Sequence, residues 1–304
     1  MSETNELKQT VNVGNIKGKL SEKKLDFFTD DKGNIEGIRG DIVVDSEMGK
    51  IKFNVYSKAL TKAGEKNRMY DMILALKHEY VAEIDADADN PVSYLTVGFQ
   101  LRGNDYVNRQ GSLGRDVSLS LNTCSRITES EAESIDPETD NVLALEGVIG
   151  RIADASERER INEGDLIIDF TTIGYSGDAV PFNILIPAEY ADVVRDSFTS
   201  GDTTTFSIEP RMIHVDGRPK KKAMIGRSVS TSRGYDRFAL VMVGALDPYD
   251  ENEALDTKLI KTALQERKIY LEDLEKKGYK GKGGKTNTLV KEASSAIKDE
   301  DIPF

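Results

Sequence analysis

Residues 50–102 read KIKFNVYSKALTKAGEKNRMYDMILALKHEYVAEIDADADNPVSYLTVGFQLR. At the start of this stretch Ile51, Phe53 and Val55 alternate with Lys50, Lys52, Asn54 and Tyr56. At its end Leu95, Val97, Phe99 and Leu101 alternate in the same way. Period two with one polar face predicts half-buried antiparallel strands. Between them Met69, Met72, Ile73 and Leu76 recur at helical spacing. A helix therefore interrupts a run of strands, and its place in the order decides the architecture.

Outward from this stretch the chain repeats short blocks in order. IKGKL (Ile16–Leu20) matches VIGRI (Val148–Ile152), and GDIVVD (Gly40–Asp45) matches GDLIID (Gly164–Asp169). FNV (Phe53–Val55) matches FNI (Phe182–Ile184), and LGRDVS (Leu113–Ser118) matches IGRSVS (Ile225–Ser230). The spacing between partners varies, so insertions separate the blocks, but the order holds. In the second copy PAEYADVVRDSF (Pro187–Phe198) occupies the helix position, with Tyr190, Val193, Val194 and Ser197 predicted on one face. Each copy reads strand, strand, strand, helix, strand, strand. A five-stranded, partly open barrel with its helix between the third and fourth strands is the OB-fold order. SH3-like and other small barrels compete. Alternation leaves barrel closure open, and the helix position favours OB.

The expected fold is mainly β: two tandem OB-fold-like five-stranded barrels, a C-terminal helix and a disordered acidic tail. The organisation reads as a flexible N-terminus (1–10), a first barrel (11–128), an acidic linker (129–141), a second barrel (142–247), an amphipathic helix (248–277) and a flexible linker with acidic tail (278–304). A length of 304 residues allows two such units. The helix carries Leu255, Leu259, Ile260, Ala263, Leu264, Leu271 and Leu274 among charges, so its apolar face buries on the second barrel or on another subunit.

Composition narrows the function. No apolar run approaches the roughly 20 residues that span a bilayer. The opening MSETNELKQT lacks the basic and apolar segments of a signal peptide. One cysteine, Cys124, excludes a disulfide framework and a cysteine-rich zinc site. The chain reads as cytoplasmic. The net charge of −12 argues against a nucleic-acid partner until the acids are located. Glu129–Asp140 holds six acids and no base, and Asp247–Asp256 holds five. Arg211–Arg237 instead holds eight Lys and Arg against two Asp. The charge is segregated, and the basic stretch is free to meet a polyanion.

An OB-fold grips single strands with a basic groove and aromatic platforms on its outward strand face. The first copy offers Lys50, Lys52, Tyr56, Tyr94 and Arg102 there, with Lys17, Lys19 and Arg39 nearby in sequence. Tyr56 and Tyr94 are the expected base partners, since a flat ring stacks on any base while its hydroxyl stays wet. Phe53 and Phe99 have core phase. The second copy is weaker on its strands, where Pro181 and Leu185 match Lys52 and Tyr56. Its signal is HVDGRPKKKAMIGR, a hairpin turn followed by Arg218, Lys220, Lys221 and Lys222, flanked by Arg211 and Arg227. Consecutive lysines neutralise phosphates without reading bases, so binding is expected to be sequence-tolerant and salt-sensitive. Arg115 and Arg227, in the repeated G-R-x-V-S, read either as ligand contacts or as ion-pair formers.

The chain ends Asp299, Glu300, Asp301, Ile302, Pro303, Phe304. This resembles the tail of bacterial single-stranded DNA-binding proteins, whose last residues are a run of Asp followed by Ile-Pro-Phe. The resemblance implies that Phe304 fills an apolar pocket on replication, recombination and repair proteins, with its carboxylate on a basic residue, Ile302 beside it and the acids steering encounter. An aromatic anchor on a charged flexible tether is a portable docking tag. The family carries one barrel per chain, stacks bases mainly on Trp and forms tetramers. This chain reads as two barrels and has no Trp, so it looks more like a phage-encoded relative, as a monomer or a dimer.

Other motifs fail on inspection. GKGGKT (Gly281–Thr286) has Tyr279 where a phosphate-binding loop needs Gly. DADADN (Asp85–Asn90) has Asn90 where a calcium loop needs Gly. His78 near the end of a predicted helix and His214 in a predicted strand mark neither a metal site nor a general base, and Cys124 has no local nucleophile signature. The expectation is a non-enzymatic protein with no cofactor or metal. It would coat single-stranded DNA in replication and recombination and recruit partners through its tail. A protein-interaction module competing for host tail pockets, and a strand-annealing recombination protein, are the alternatives.

Overall fold

The alternation in Lys50–Tyr56 is realised residue by residue in a strand spanning Gly49–Lys58: Ile51, Phe53 and Val55 are buried, and Lys50, Lys52, Asn54 and Tyr56 are exposed. The computed structural model describes residues 7–215 and 234–278. Its first unit runs β1 (Asn12–Thr29), β2 (Ile35–Ser46), β3 (Gly49–Lys58), α1 (Arg68–Glu79), β4 (Tyr94–Val107) and β5 (Leu113–Ile127). β1 pairs antiparallel with both β2 and β4, β2 with β3, and β4 with β5. β3 runs parallel to β5. The ladder closes in the order β1-β2-β3-β5-β4-β1, which is the OB-fold barrel. Leu95, Val97, Phe99 and Leu101 point inward as expected, and the Phe53 and Phe99 rings meet at 5.3 Å. Asn67 caps α1 by accepting from the Met69 amide, and Ile73 and Leu76 bury in the barrel core with Met69 and Met72 packed against it.

After β5 comes α2 (Glu129–Glu133), then β6 (Val142–Asp154), β7 (Leu166–Ile173), β8 (Ala179–Ile186), α3 (Ala191–Ser197), β9 (Thr203–Val215) and β10 (Tyr235–Ala245). β6 pairs with β7 and β9, β7 with β8, β9 with β10, and β8 runs parallel to β10. The wiring is identical, so the chain is two OB-fold barrels. Of the expected face Tyr190, Val193, Val194 and Ser197, Val194 is buried, together with Ala191, while Tyr190, Val193 and Ser197 are exposed. A 3-10 turn at Ala188–Tyr190 precedes it. That turn advances about 120° per residue instead of 100°, which rotates the face that follows.

The repeated blocks mark the right strands but not their register. Gly18 and Gly147 hold the same position, since an added Cβ would meet the carbonyl of Asp45 in one barrel and of Thr171 in the other. From that anchor Ile42 corresponds to Ile168 rather than Leu166. Their partners across the next ladder are Phe53 and Ile184, so Phe53 does not correspond to Phe182. The IGRSVS block lies outside the described residues.

The barrels are joined edge to edge. Asn12–Asn15 of β1 pairs antiparallel with Val142–Leu145 of β6, making one ten-stranded sheet. The end of the acidic stretch docks on this seam. Asp140, 6% exposed, pairs with Lys17 at 2.6 Å and accepts from Asn15 Nδ2 at 3.1 Å. Buried Asn141 sits at φ 60, and its Oδ1 accepts from the Lys17 amide at 2.9 Å. Asn is one of the few side chains that tolerates that backbone.

α4 (Thr257–Lys277) settles where the amphipathic helix goes. Ile260 and Ala263 bury against Val148, Ile173 and Ala179 of the second barrel. One turn on, Arg267 donates to Asp105 of β4 at 2.5 Å and to the Ala179 carbonyl of β8 at 3.4 Å. The helix thus straps one barrel to the other.

Candidate nucleic-acid interface

The outward face of the first barrel is a three-stranded platform whose cross-strand rows can be read from the register. Asp26, Arg39 and Tyr56 form one row; Phe28, Gly37 and Lys58 form the next. Gly37 has no side chain, and a Cβ there would strike the Phe28 ring. The ring fills that gap and stacks on Tyr56, centroids 5.3 Å apart and planes 11° from parallel. Diagonal neighbours on one sheet face come within reach of aromatic side chains. The Arg39 guanidinium lies 5.9 Å from the Phe28 ring centre. Tyr56 remains 55% exposed. Lys50 and Lys52 continue along β3, with Lys52 paired to Asp41 at 2.9 Å and more than half exposed.

The other expected site residues fall elsewhere. Tyr94 sits in the row Tyr94–Lys19–Asp45–Lys50, away from Tyr56. Its hydroxyl donates to Glu129 at 2.5 Å, and this bond, with burial and the Glu129 charge, pushes the phenol up to about 12. Arg102 is exposed on β4 and faces the second barrel across a cavity of about 290 Å³, opposite Tyr175, which is 91% exposed. Arg115 lies in a second cavity between the barrels, of about 320 Å³. Arg211 is on β9, where its Nε donates to Glu209 at 2.6 Å. Arg218, Lys220, Lys221, Lys222 and Arg227, and the tail residues Asp299, Glu300, Asp301, Ile302, Pro303 and Phe304, lie outside the described residues. Lys50, Lys52 and Tyr56 are therefore brought together, Tyr94 lies three strands across from Lys50 in the same row, Arg102 and Arg115 line the space between barrels, and Arg211 stands apart.

A family model described as YorF matches residues 10–277. The chain belongs to the YorF family. No curated protein sequence matches this YorF-family chain. In fold it is similar to the wild-type single-stranded DNA binding protein from Thermus aquaticus, at 10% identity, TM-score 0.44, over 80% of this chain and 95% of that one. It is also similar to a replication protein A heterotrimer bound to ssDNA, at 10% identity, TM-score 0.24, over 91% and 57%. A third is fission yeast Pot1 with ssDNA, at 8% identity, TM-score 0.22, over 88% and 92%. The barrel assignment rests on the strand pairing itself.

Sequence reasoning missed Phe28 as a platform residue of this YorF-family chain. The only trace is the doublet Phe27-Phe28, in which one ring of any strand must point outward. Among the described residues no helix is long and apolar enough to cross a membrane.

Proposed function

We propose that the chain binds single-stranded DNA without sequence preference. The observation that carries this reading is the Phe28–Tyr56 stack on the outward face of an OB barrel, with Arg39, Lys50 and Lys52 beside it. A ring left half exposed accepts any base, because every base has a π face, and the cations track the phosphates. Tyr56→Ala is expected to weaken binding of fluorescent oligo-dT by roughly 10–100-fold, the loss of one stacked base at about 1–3 kcal/mol. The melting temperature should barely move, since the side chain is exposed. Anisotropy titration at two salt concentrations reads it; equal affinity of wild type for a matched duplex would sink the reading.

The proposal includes the segment Asp299–Phe304 as a docking tag for replication, recombination and repair proteins, supported by its resemblance to the bacterial tail. Phe304→Ala should abolish capture of such a partner while leaving oligo-dT affinity intact. Retained capture would remove the tag from the proposal.

A further inference from the structure

The cavity between the barrels is floored by apolar side chains and edged by two arginines. β8 supplies Phe182 and Leu185, β5 supplies Arg115, and β10 supplies Arg237. Arg115 is the more constrained. Its guanidinium stands 5.3 Å over the Phe182 ring and against Gly103, where a Cβ would crowd it. Its Nε and Nη2 are buried and make no hydrogen bond. Among the described residues its carboxylate partner is Asp105, 3.9 Å from Nε, and that carboxylate gives its short contact, 2.5 Å, to Arg267. One acid therefore serves two guanidiniums. Burial, then Arg267, lowers the Arg115 pKa to about 10, so it is charged at neutral pH but poorly compensated.

Arg237 is similar. It donates to the Glu159 carbonyl, while its Nε is buried without a partner. Glu159 also lines the cavity, and its carboxylate is held by Ser156, through Oγ at 2.6 Å and the amide at 3.1 Å. Among the described residues the cavity's charged lining is Arg115, Arg237 and Glu159, one net positive charge. Excess charge above an apolar floor is felt strongly, because the local dielectric is low.

We infer that this inter-barrel trough is a phosphodiester subsite, with Arg115 and Arg237 holding the backbone of a strand that passes from one barrel to the other. The inference rests on the single-stranded DNA reading and extends it. Phe182 also lines the neighbouring cavity, where Arg102 and Tyr175 stand, so the two cavities meet along one side chain. A strand leaving the subsite meets a third cation, Arg102, and an exposed ring, Tyr175. The trough thereby makes two barrels one continuous site instead of two short ones.

The test uses the full chain, two fluorescent probes and a salt series. An oligo-dT of about 6 nucleotides fits a single barrel, and one of about 30 spans both. Arg237→Ala and Arg115→Gln should each weaken the long probe by roughly 10-fold and leave the short one unchanged. Each should also lower the slope of log K against log salt by about one, the signature of a lost phosphate contact. Arg237→Lys should restore most of the slope. Arg237 is half-buried and holds the Glu159 carbonyl, so that pair of variants decides the matter even if Arg115→Gln melts early. If both arginine variants bind the long probe like wild type, with the same slope, the trough is no subsite and the single-stranded DNA reading stands. If wild type binds neither probe, that reading falls and takes the trough with it.

Discussion

Asp105→Asn should lower the free energy of unfolding by about 3–5 kcal/mol, the cost of removing one partner from a buried ion pair. Asp105 is 9% exposed and faces Arg267, itself 14% exposed, at 2.5 Å, with Arg115 on its other side. Without the carboxylate, two buried guanidiniums are left with no counter-charge from this acid. Arg267 is also the residue through which α4 reaches β4. The loss should therefore appear first as release of the helix from the first barrel. Urea denaturation measures the total, and amide exchange along Thr257–Lys277 measures the local part. Adding Arg267→Met to Asp105→Asn should recover part of the loss, because the pair is then removed together. Strict additivity of the two changes would show that the contact does not couple them.

Gly40→Val should prevent folding or cost more than about 4 kcal/mol, the range reserved for strain or overlap in a core element. Gly40 has φ 151, and a Cβ there would fall on the Lys24 carbonyl oxygen of the neighbouring strand. It lies mid-strand, paired with Leu25 on one side and Val55 on the other, so neither neighbour can retreat without opening a ladder. Gly49→Ala is the control. That glycine has φ 92 but open space around it, so only backbone strain of about 1–2 kcal/mol is expected. Circular dichroism melts of both variants separate collision from strain; equal losses would mean that the Lys24 contact is not the cause.

Much of the fold was legible because its signals are local. Ile51, Phe53 and Val55 report a strand face by alternation alone, and Met69 to Leu76 report a helix by spacing. Their order predicted the barrel, and the ladder closes in that order. Register was not legible. The block GDIVVD was matched two residues away from its structural counterpart, because strands rich in Val and Ile tolerate a slip by two without changing faces. The α3 face, apart from Val194, was misplaced for a comparable reason: a single 3-10 turn leaves no mark in composition.

The candidate site divides along the same line. Lys50, Lys52 and Tyr56 share a strand face, and alternation within seven residues is enough to group them. Residues 50–102 alone thus determined the strand phase, the helix and one basic, aromatic face. Tertiary structure decided the rest: that Phe28 completes the stack through the gap at Gly37, that Tyr94 is taken by Glu129, and that Arg115 stands over Phe182 between two barrels. Arg267 meets Asp105 across 162 positions. Local spacing fixes which way a side chain points from its own strand. Which side chain it meets depends on ladders closed between distant segments, and their energy is gained only once the whole barrel forms.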